Sequence, residues 1–559
     1  MHRLTDRHGA EVAPGRGCED RDAPSHGSVT GLVPAAVCLM LLAGYCVLFW
    51  QFYIDDTYIH LRYSLHLLEG HGFRFNLDQP PVMGTSSPLW IVVLMLPVRL
   101  LRADPLPLVK IIALLLGATS LATLGRCVHR LSSSWYPNRS VRFHRLMGVA
   151  PASFLLASGV QWIYFFSGME PPLYGLLYSA IALLVVRHQT ADRGHGALGA
   201  MLGLCCLLLF LARPEGAAAI GATCLTLLAV ENGRRPALSS FLLTIGFLGS
   251  LWVSYALATF GSVLPTAVAA KGANLPWFSQ PWGPALFEYG DQLVALFGPT
   301  VVLGALLLAA TLVLSPGRLL EWARQPLTIF NLAYAAAVLL TYLALNGQRN
   351  ERYLLVFGPC LALVLSGPAI ILSNRIAAAF RPGSRLAVLG PAAVAAVIAV
   401  VGFVSASSAY PWYAEHFYRR YEPLKVLATS IRADAEARHA AAGDNRVLLE
   451  IAGVLSYYSR ASVIDIAGLV SPELSTTSHL LGGHTDTGGP RLAQQREVIR
   501  ALIFERRPDF IVLKEVQYRT FVAGLFDGRT VELTEFARTP TDATGWGDFV
   551  AWRVRYRPR

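Results

Sequence analysis

Tyr53-Ile54-Asp55-Asp56-Thr57-Tyr58-Ile59-His60 follows an almost wholly apolar run, Thr30 to Phe52, and these eight residues decide how the chain is read. Two adjacent carboxylates at the border of a membrane-length segment are expensive. On insertion scales an acid at a helix centre costs about 2.5–3.5 kcal/mol, so such acids sit at the water edge or in a polar cavity. Adjacent like charges also repel, and one of the pair holds its proton unless a cation or substrate compensates. The pair therefore marks a candidate site, weighed against the plainer reading of a solvated loop start.

Composition supports a membrane setting. The chain has 559 residues, of which 54% are hydrophobic and only 15% charged, whereas soluble domains carry about 25% charged residues. This is an integral membrane protein by composition, long enough for a many-helix bundle and one extramembrane domain. The net charge of +11 suits cytoplasmic loops rather than a nucleic acid, because no basic stripe interleaves with stacking aromatics outside the apolar runs. The bilayer is the partner this composition demands. The eight Cys fall mostly in apolar runs and include no C-x-x-C pair, so neither a zinc site nor a disulfide framework is indicated.

Apolar segments of spanning length fall near 30–52, 105–127, 146–166, 172–188, 197–213, 216–231, 237–258, 290–314, 328–346, 353–373 and 386–407, which gives an expectation of about eleven spans. A further apolar stretch, Pro88 to Leu101, is too short to span comfortably. Five basic connectors, containing Arg126 to Arg145, Arg187 and Arg193, Arg234 and Arg235, Arg318 and Arg324, and Arg375 to Arg385, share one side only if 88–101 does not cross. The positive-inside rule then puts them in the cytoplasm, and Pro88–Leu101 reads as an interfacial or re-entrant helix. The organisation expected is a disordered cytoplasmic tail (1–29), a transmembrane module (30–407) with a first external loop (51–104), and an extracytoplasmic domain (408–559). The first run lacks a signal-peptide cleavage site and reads as a retained span.

This topology gathers the unusual polar residues. Glu170, Arg213, Lys271 and Arg352 lie in external connectors, on the same face as Asp55 and Asp56. That convergence is the case for an active site at the outer membrane surface. Beyond Ser408 the pattern alternates. Strands are expected over 446–451, 462–466, 508–513 and 548–554, with helices opening near 453–459 and over 491–505, a small α/β arrangement. His479, His484 and Asp486 share a Gly- and Thr-rich loop at a spacing that fits no standard metal site. No phosphate-binding glycine loop or kinase motif is present, which disfavours an ATP-driven pump.

The segments Asp55–Tyr63, Glu69–Asn76 and Thr85-Ser86-Ser87-Pro88-Leu89-Trp90 resemble the first periplasmic loop of bacterial GT-C glycosyltransferases, in particular the branch with the mycobacterial terminal β-(1→2)-arabinofuranosyltransferase. Ser167-Gly168-Met169-Glu170, Arg213-Pro214-Glu215-Gly216, Gly261-Ser262-Val263-Leu264-Pro265 leading to Lys271, Arg352-Tyr353 and Val463–Leu469 match that branch in the same order. The resemblance covers about residues 30–515. One departure lies at Val82-Met83-Gly84-Thr85, where relatives usually carry an acidic and an aromatic residue.

The resemblance implies transfer of a sugar, arabinofuranose as first guess, from a polyprenyl-phosphate donor. The acceptor would be an envelope glycan, lipopolysaccharide or protein outside the cytoplasm of a bacterial inner membrane. Asp55 or Asp56 would serve as general base, and Lys271 and Arg352 would hold the phosphate. Glu170 and Arg213 would either contact substrate or lock loops as an ion pair. A divalent cation (Mg, Mn or Ca) bridging Asp55 and Asp56 to phosphate is an arrangement the pair would allow, with no further ligand evident. The rival readings are a lipid-linked sugar flippase, whose charges belong near the midplane, and a non-catalytic envelope-assembly subunit.

Overall fold

The structure, a computed structural model, describes residues 29–102, 104–191, 193–229, 235–266, 282–345, 351–379, 400–411, 419–439, 445–474, 490–526, 530–539 and 548–557. Lys271, the loop with His479, His484 and Asp486, nearly all of the 1–29 tail and most of the expected 386–407 span lie outside the described residues.

Helices dominate. In chain order they are α1 (Val29–Leu48), α2 (Asp55–Leu68), α3 (Pro88–Leu100), α4 (Leu106–Trp135), α5 (Val141–Ala157), α6 (Gln161–Phe165), α7 (Pro171–Thr190), α8 (His195–Ala212), α9 (Gly216–Ala229), α10 (Arg235–Phe260), α11 (Trp282–Leu314), α12 (Pro316–Ala323), α13 (Pro326–Leu345) and α14 (Phe357–Ala379). Among the described residues six helical stretches are long and apolar enough to cross a membrane: Leu106–Trp135, His195–Ala212, Pro236–Phe260, Trp282–Leu314, Pro326–Ala344 and Glu351–Ala379. The chain is a multi-pass membrane protein. Pro34–Leu48, Pro88–Leu100 and Gly216–Ala229 are shorter apolar helices, so a count of eleven is not reached on length and apolarity alone.

The segment expected near 146–166 is broken in two. α5 ends at Ala157 and α6 restarts at Gln161. Leu155 O at the break accepts the Ser158 N–H and also side-chain donors from the restart: Gln161 Nε2 and Trp162 Nε1 donate to it at 2.6 and 3.2 Å. Inside a membrane such a break persists only where freed backbone groups find protein partners.

Two ends of the bundle can be told apart by their contacts. At one, Arg139 donates to Asn374 Oδ1 and O at 2.7 and 3.0 Å, and Arg375 Nε donates to Ser315 Oγ at 2.7 Å. Three basic connectors therefore meet there. At the other end α2 packs on α3, whose 13 residues extend only about 20 Å, short of a ~30 Å hydrocarbon core.

The remaining residues build a five-stranded sheet: β1 (Arg446–Leu449), β2 (Ser462–Asp465), β3 (Phe510–Lys514), β4 (Val531–Arg538) and β5 (Phe549–Tyr556), in the order β2-β1-β3-β5-β4. β1 runs parallel to β2 and β3, and β5 antiparallel to β3 and β4. Residues 400–411 are helical (α15). Helices α16 (Arg419–Ala437), α17 (Ala452–Ser459), α18 (Pro490–Arg506) and α19 (Glu515–Phe521) accompany the sheet. Four strands fall where the alternation placed them. β4 is the addition: an edge strand carrying Glu532, Glu535 and Arg538, the charged type of sequence that protects a sheet edge.

Candidate active site

Helix α2 sets the site, because its first turn points in several directions at once. Asp55 turns toward the sheet: its Oδ2 accepts Gly453 N–H and its Oδ1 accepts Val454 N–H, both at 2.8 Å. Those amides open α17, so Asp55 caps a helix nearly 400 residues away, where a carboxylate complements the positive helix end. The approach is close; a Cβ on Gly453 would lie 1.9 Å from Asp55 O. Asp56 turns toward the bundle, and its Oδ2 lies 2.9 Å from Arg352 Nη1. Thr57 Oγ1 donates to Ser167 O at 2.8 Å.

The loop Ser167-Gly168-Met169-Glu170 is thereby fixed beside Asp56. Trp90 Nε1 of α3 donates to Gly168 O at 3.0 Å. Gly168 has φ +89°, and a Cβ there would meet Thr57 at 2.6 Å; left-handed backbone against a neighbouring side chain is a glycine position. This docking delivers Glu170, which is 2% exposed, to the end of α8. There Arg213 Nη1 donates to Glu170 Oε1 at 2.7 Å, while Arg213 Nη2 and Nε donate to Glu215 Oε1 and Oε2 at 2.8 and 3.2 Å. Tyr342 Oη donates to Glu215 Oε1 at 2.6 Å and to Tyr353 O at 3.1 Å. Tyr353 lies beneath both guanidinium groups, 5.8 Å from Arg213 and 5.3 Å from Arg352.

One pocket is the result. Asp56, Ser86, Ser167, Glu170, Arg213 and Arg352 line it, with about 40 Å³ of open space. A second, mainly apolar cavity shares Arg213, Pro171 and Leu355 with it and runs into the bundle past Leu121, Trp162 and Phe165. Glu170 Oε2 is buried and, among the described residues, has no hydrogen-bond partner. An unpaired carboxylate oxygen beside a pocket is a vacant acceptor in a place where unpaired acceptors are costly. The structure thus brings together four of the six residues singled out in the sequence. It sets Asp55 apart from them, and Lys271 lies outside the described residues.

Electrostatics follow burial. Burial pushes the Asp55 carboxyl up to about 7, against the pull of its two backbone N–H bonds and with the Asp56 charge adding to the rise. His60, one turn beyond Asp56, is held below the usual imidazole range by burial, and its Nε2 lies 2.6 Å from Thr85 Oγ1. It sits behind the site as a neutral ring. Burial would raise Glu215, but the Arg213 charge and hydrogen bonds outweigh it and hold the carboxyl low.

Several residues that support the site were not among the six singled out in the sequence. Lys110, fully buried within the apolar α4, donates to Phe49 O at 2.9 Å, Phe52 O at 2.6 Å and Phe166 O. It ties the exit of α1 to the residue before the Ser167 loop. Asp465 accepts Ala467, Leu469 and Val470 N–H groups at 2.9, 2.8 and 3.2 Å. That folds the 466–470 loop onto Gly84 of the first loop, where Leu469 O and Val470 leave no room for a Cβ. Arg62 donates to Phe75 O, Ser456 O and Ala461 O at 2.8, 2.6 and 2.7 Å, and Asn76 exchanges two hydrogen bonds with the Val463 backbone.

A divalent cation on Asp55 and Asp56 would share those carboxylates with the partners they already have. Both Asp55 oxygens are taken by amides, and Asp56 is on a guanidinium. Among the described residues no group of three or more His, Cys, Asp or Glu could hold a metal.

Comparison with solved structures places this architecture. ArnT from Cupriavidus metallidurans, bound to undecaprenyl phosphate, is similar at 13% identity and TM-score 0.59, covering 95% of this chain and 100% of that one. The oligosaccharyltransferase of Archaeoglobus fulgidus is similar in its apo form (10% identity, TM-score 0.53, 90% of this chain, 73% of that one) and in complex with Zn and sulfate (10%, 0.51, 91% and 72%). The chain has the GT-C fold. Residues 420–554 match a family described as Domain of unknown function (DUF8728). Comparison with curated proteins gave no match.

Proposed function

We propose that this protein is a membrane glycosyltransferase that passes a sugar from a polyprenyl-phosphate donor to an acceptor hydroxyl outside the cytoplasm. The observation that carries the reading is the Asp56–Arg352 pair, 2.9 Å apart, in the pocket that Glu170 and Arg213 also line. Transfer needs an acceptor for the hydroxyl proton and positive charge for the departing phosphate, and this pair puts one beside the other. The GT-C fold, and a neighbour of that fold bound to undecaprenyl phosphate, support the same reading. The apolar cavity that continues from Arg213 suits the first isoprene units of such a donor.

In this reaction the acceptor oxygen attacks the anomeric carbon as its proton passes to the Asp56 carboxylate. The bond from that carbon to the phosphate oxygen breaks, and polyprenyl phosphate leaves as an anion held by Arg352. Lys271 is assigned to the same anion. Glu170, with one oxygen on Arg213 and one open, accepts a hydrogen bond from the acceptor or the donor sugar. Asp55 acts through structure, setting α2 against α17. Arabinofuranose is the donor sugar to test first, on the strength of the first-loop resemblance, and a bacterial inner membrane with the site on its periplasmic face is the proposed location. Glycan, lipopolysaccharide or protein is the acceptor class. A flippase is disfavoured because the charged pocket lies at helix ends rather than mid-span.

The experiment is donor-to-acceptor transfer by the purified chain in nanodiscs, where no translocation is needed. Transfer by the wild type supports the reading. A wild type that moves lipid-linked sugar across vesicles but forms no new glycosidic bond would overturn it.

A further inference from the structure

On the other side of α2 from the Asp56 pocket lies a larger cavity of about 200 Å³. Trp50, Tyr58 and Tyr421 line it together with Asp104, Glu422 and Lys425. Asp56 and Tyr58 are two positions apart, about 200° around a helix, so the two side chains face different spaces. The walls come from four places: the exit of α1, α2 through Tyr58, the entry to α4 and the first turns of α16. The Tyr58 ring packs on Tyr457 and Tyr458 of α17, 5.9 and 5.6 Å between centroids, so the cavity is supported from behind.

Interfacial aromatic belts present rings to lipid headgroups. These rings instead share a concave space with two carboxylates and one ammonium, and the ammonium is partly committed, with Lys425 Nζ 4.9 Å from the Tyr458 ring centre. The lining is therefore net negative. Like charge disfavours a phosphate or sulfate. It suits a neutral polyhydroxylated ring, or one carrying an amine: aromatic faces cover its C–H face, and carboxylates accept its hydroxyl and ammonium hydrogens.

We propose that this cavity binds one neutral or amine-bearing sugar ring, a non-reacting unit of the acceptor. The proposal rests on the transferase reading and narrows it. A ring held here is separated from Asp56 by the width of α2, about 10 Å with side chains, so the reacting hydroxyl belongs to another unit and the acceptor is an oligosaccharide.

The test uses the full chain in nanodiscs of neutral lipid and saturation-transfer difference NMR with four probes: D-arabinose, D-galactose, D-glucosamine and sn-glycerol 3-phosphate. At least one sugar binds, and its affinity falls ~10-fold or more in Trp50→Ala and in Glu422→Ala. Both positions are exposed, so both variants are expected to fold, and an unchanged thermal melt checks this. Binding of none of the sugars, binding unaltered in both variants, or preferential binding of glycerol phosphate, which would make this a lipid-headgroup site, overturns the proposal. Asp56→Asn leaves sugar binding here intact even where transfer is lost, so failure of the transferase reading and failure of this site give different results.

Discussion

Arg352 and Asp56 form an ion pair at 2.9 Å across 296 residues of sequence, with side chains 21% and 27% exposed. Partial exposure means the pair contributes little to stability. Its placement in a pocket fits the proposed use, holding the departing phosphate beside the proton acceptor. In Arg352→Ala the transfer rate is expected to fall ~100-fold or more, the magnitude for loss of one group that stabilises developing negative charge. Arg352→Lys, which keeps the charge but loses the planar fork, is expected to recover part of that. Steady-state kinetics against donor concentration check this; wild-type rates in Arg352→Ala would remove Arg352 from the anion site.

Arg213 carries the opposite expectation. Its side chain is 8% exposed and it neutralises Glu170 and Glu215, whose side chains are 3% and 11% exposed. Arg213→Ala strands two buried carboxylates, a change that costs about 3–5 kcal/mol where one partner of a buried pair is removed. The variant is expected to melt at lower temperature and accumulate poorly, whatever its activity. A melting temperature equal to wild type would show that the network is not structural.

Asp55 supplies a pH test. Its carboxyl titrates at about 7 in the folded chain against an ordinary value of 3.8. The folded state therefore binds the proton more readily than the unfolded chain. Its contribution to stability is fully present below about pH 4 and is lost as pH rises through about 7. Asp465, also raised to about 7 by burial, acts in the same direction. Melting temperature is expected to fall between pH 5 and pH 8, and Asp55→Asn is expected to flatten that slope while losing an amide's acceptor at α17, about 1–3 kcal/mol. Identical slopes in variant and wild type would contradict this.

Lys110 tests positioning at a distance. Lys110→Met keeps much of the side chain's length and apolar stem but removes the ammonium that bridges the Phe49, Phe52 and Phe166 carbonyls, of which Phe49 O keeps the Phe52 N–H. Buried unsatisfied acceptors cost about 1–3 kcal/mol each at most. The variant is expected to lose stability and, because the Phe166 tie leads into the Ser167 loop, to lower kcat more than it alters donor KM. Unchanged kcat in a folded variant would confine Lys110 to stability.

Much of this organisation was legible because the signals were local. The first-loop carboxylates, the Ser167–Glu170 turn and Arg213 each interrupt an apolar rhythm, and three of the four pocket charges, Asp56, Glu170 and Arg213, were visible as such interruptions near span ends. The fourth, Arg352, opens a late span. What stayed hidden depends on contacts between distant segments. Asp55 and Asp56 look equivalent in sequence, and only an amide pair 398 and 399 residues away separates their roles. Lys110 is one charge inside a long apolar run, indistinguishable there from a snorkelling lysine. The Val463–Leu469 segment carries part of the family resemblance, and its Asp465 spends the carboxylate on its own loop. β4 escaped because an edge strand needs few buried residues to announce it.

The most direct test is the isosteric change at the proposed base. Asp56→Asn removes one charge at a partly exposed position and is not expected to unfold the bundle. Sugar transfer from polyprenyl-phosphate donor to acceptor by the purified variant in nanodiscs is expected to drop by at least ~100-fold, the low end of general-base catalysis, with the melting temperature near that of wild type. A folded Asp56→Asn variant that transfers sugar at the wild-type rate would contradict the account.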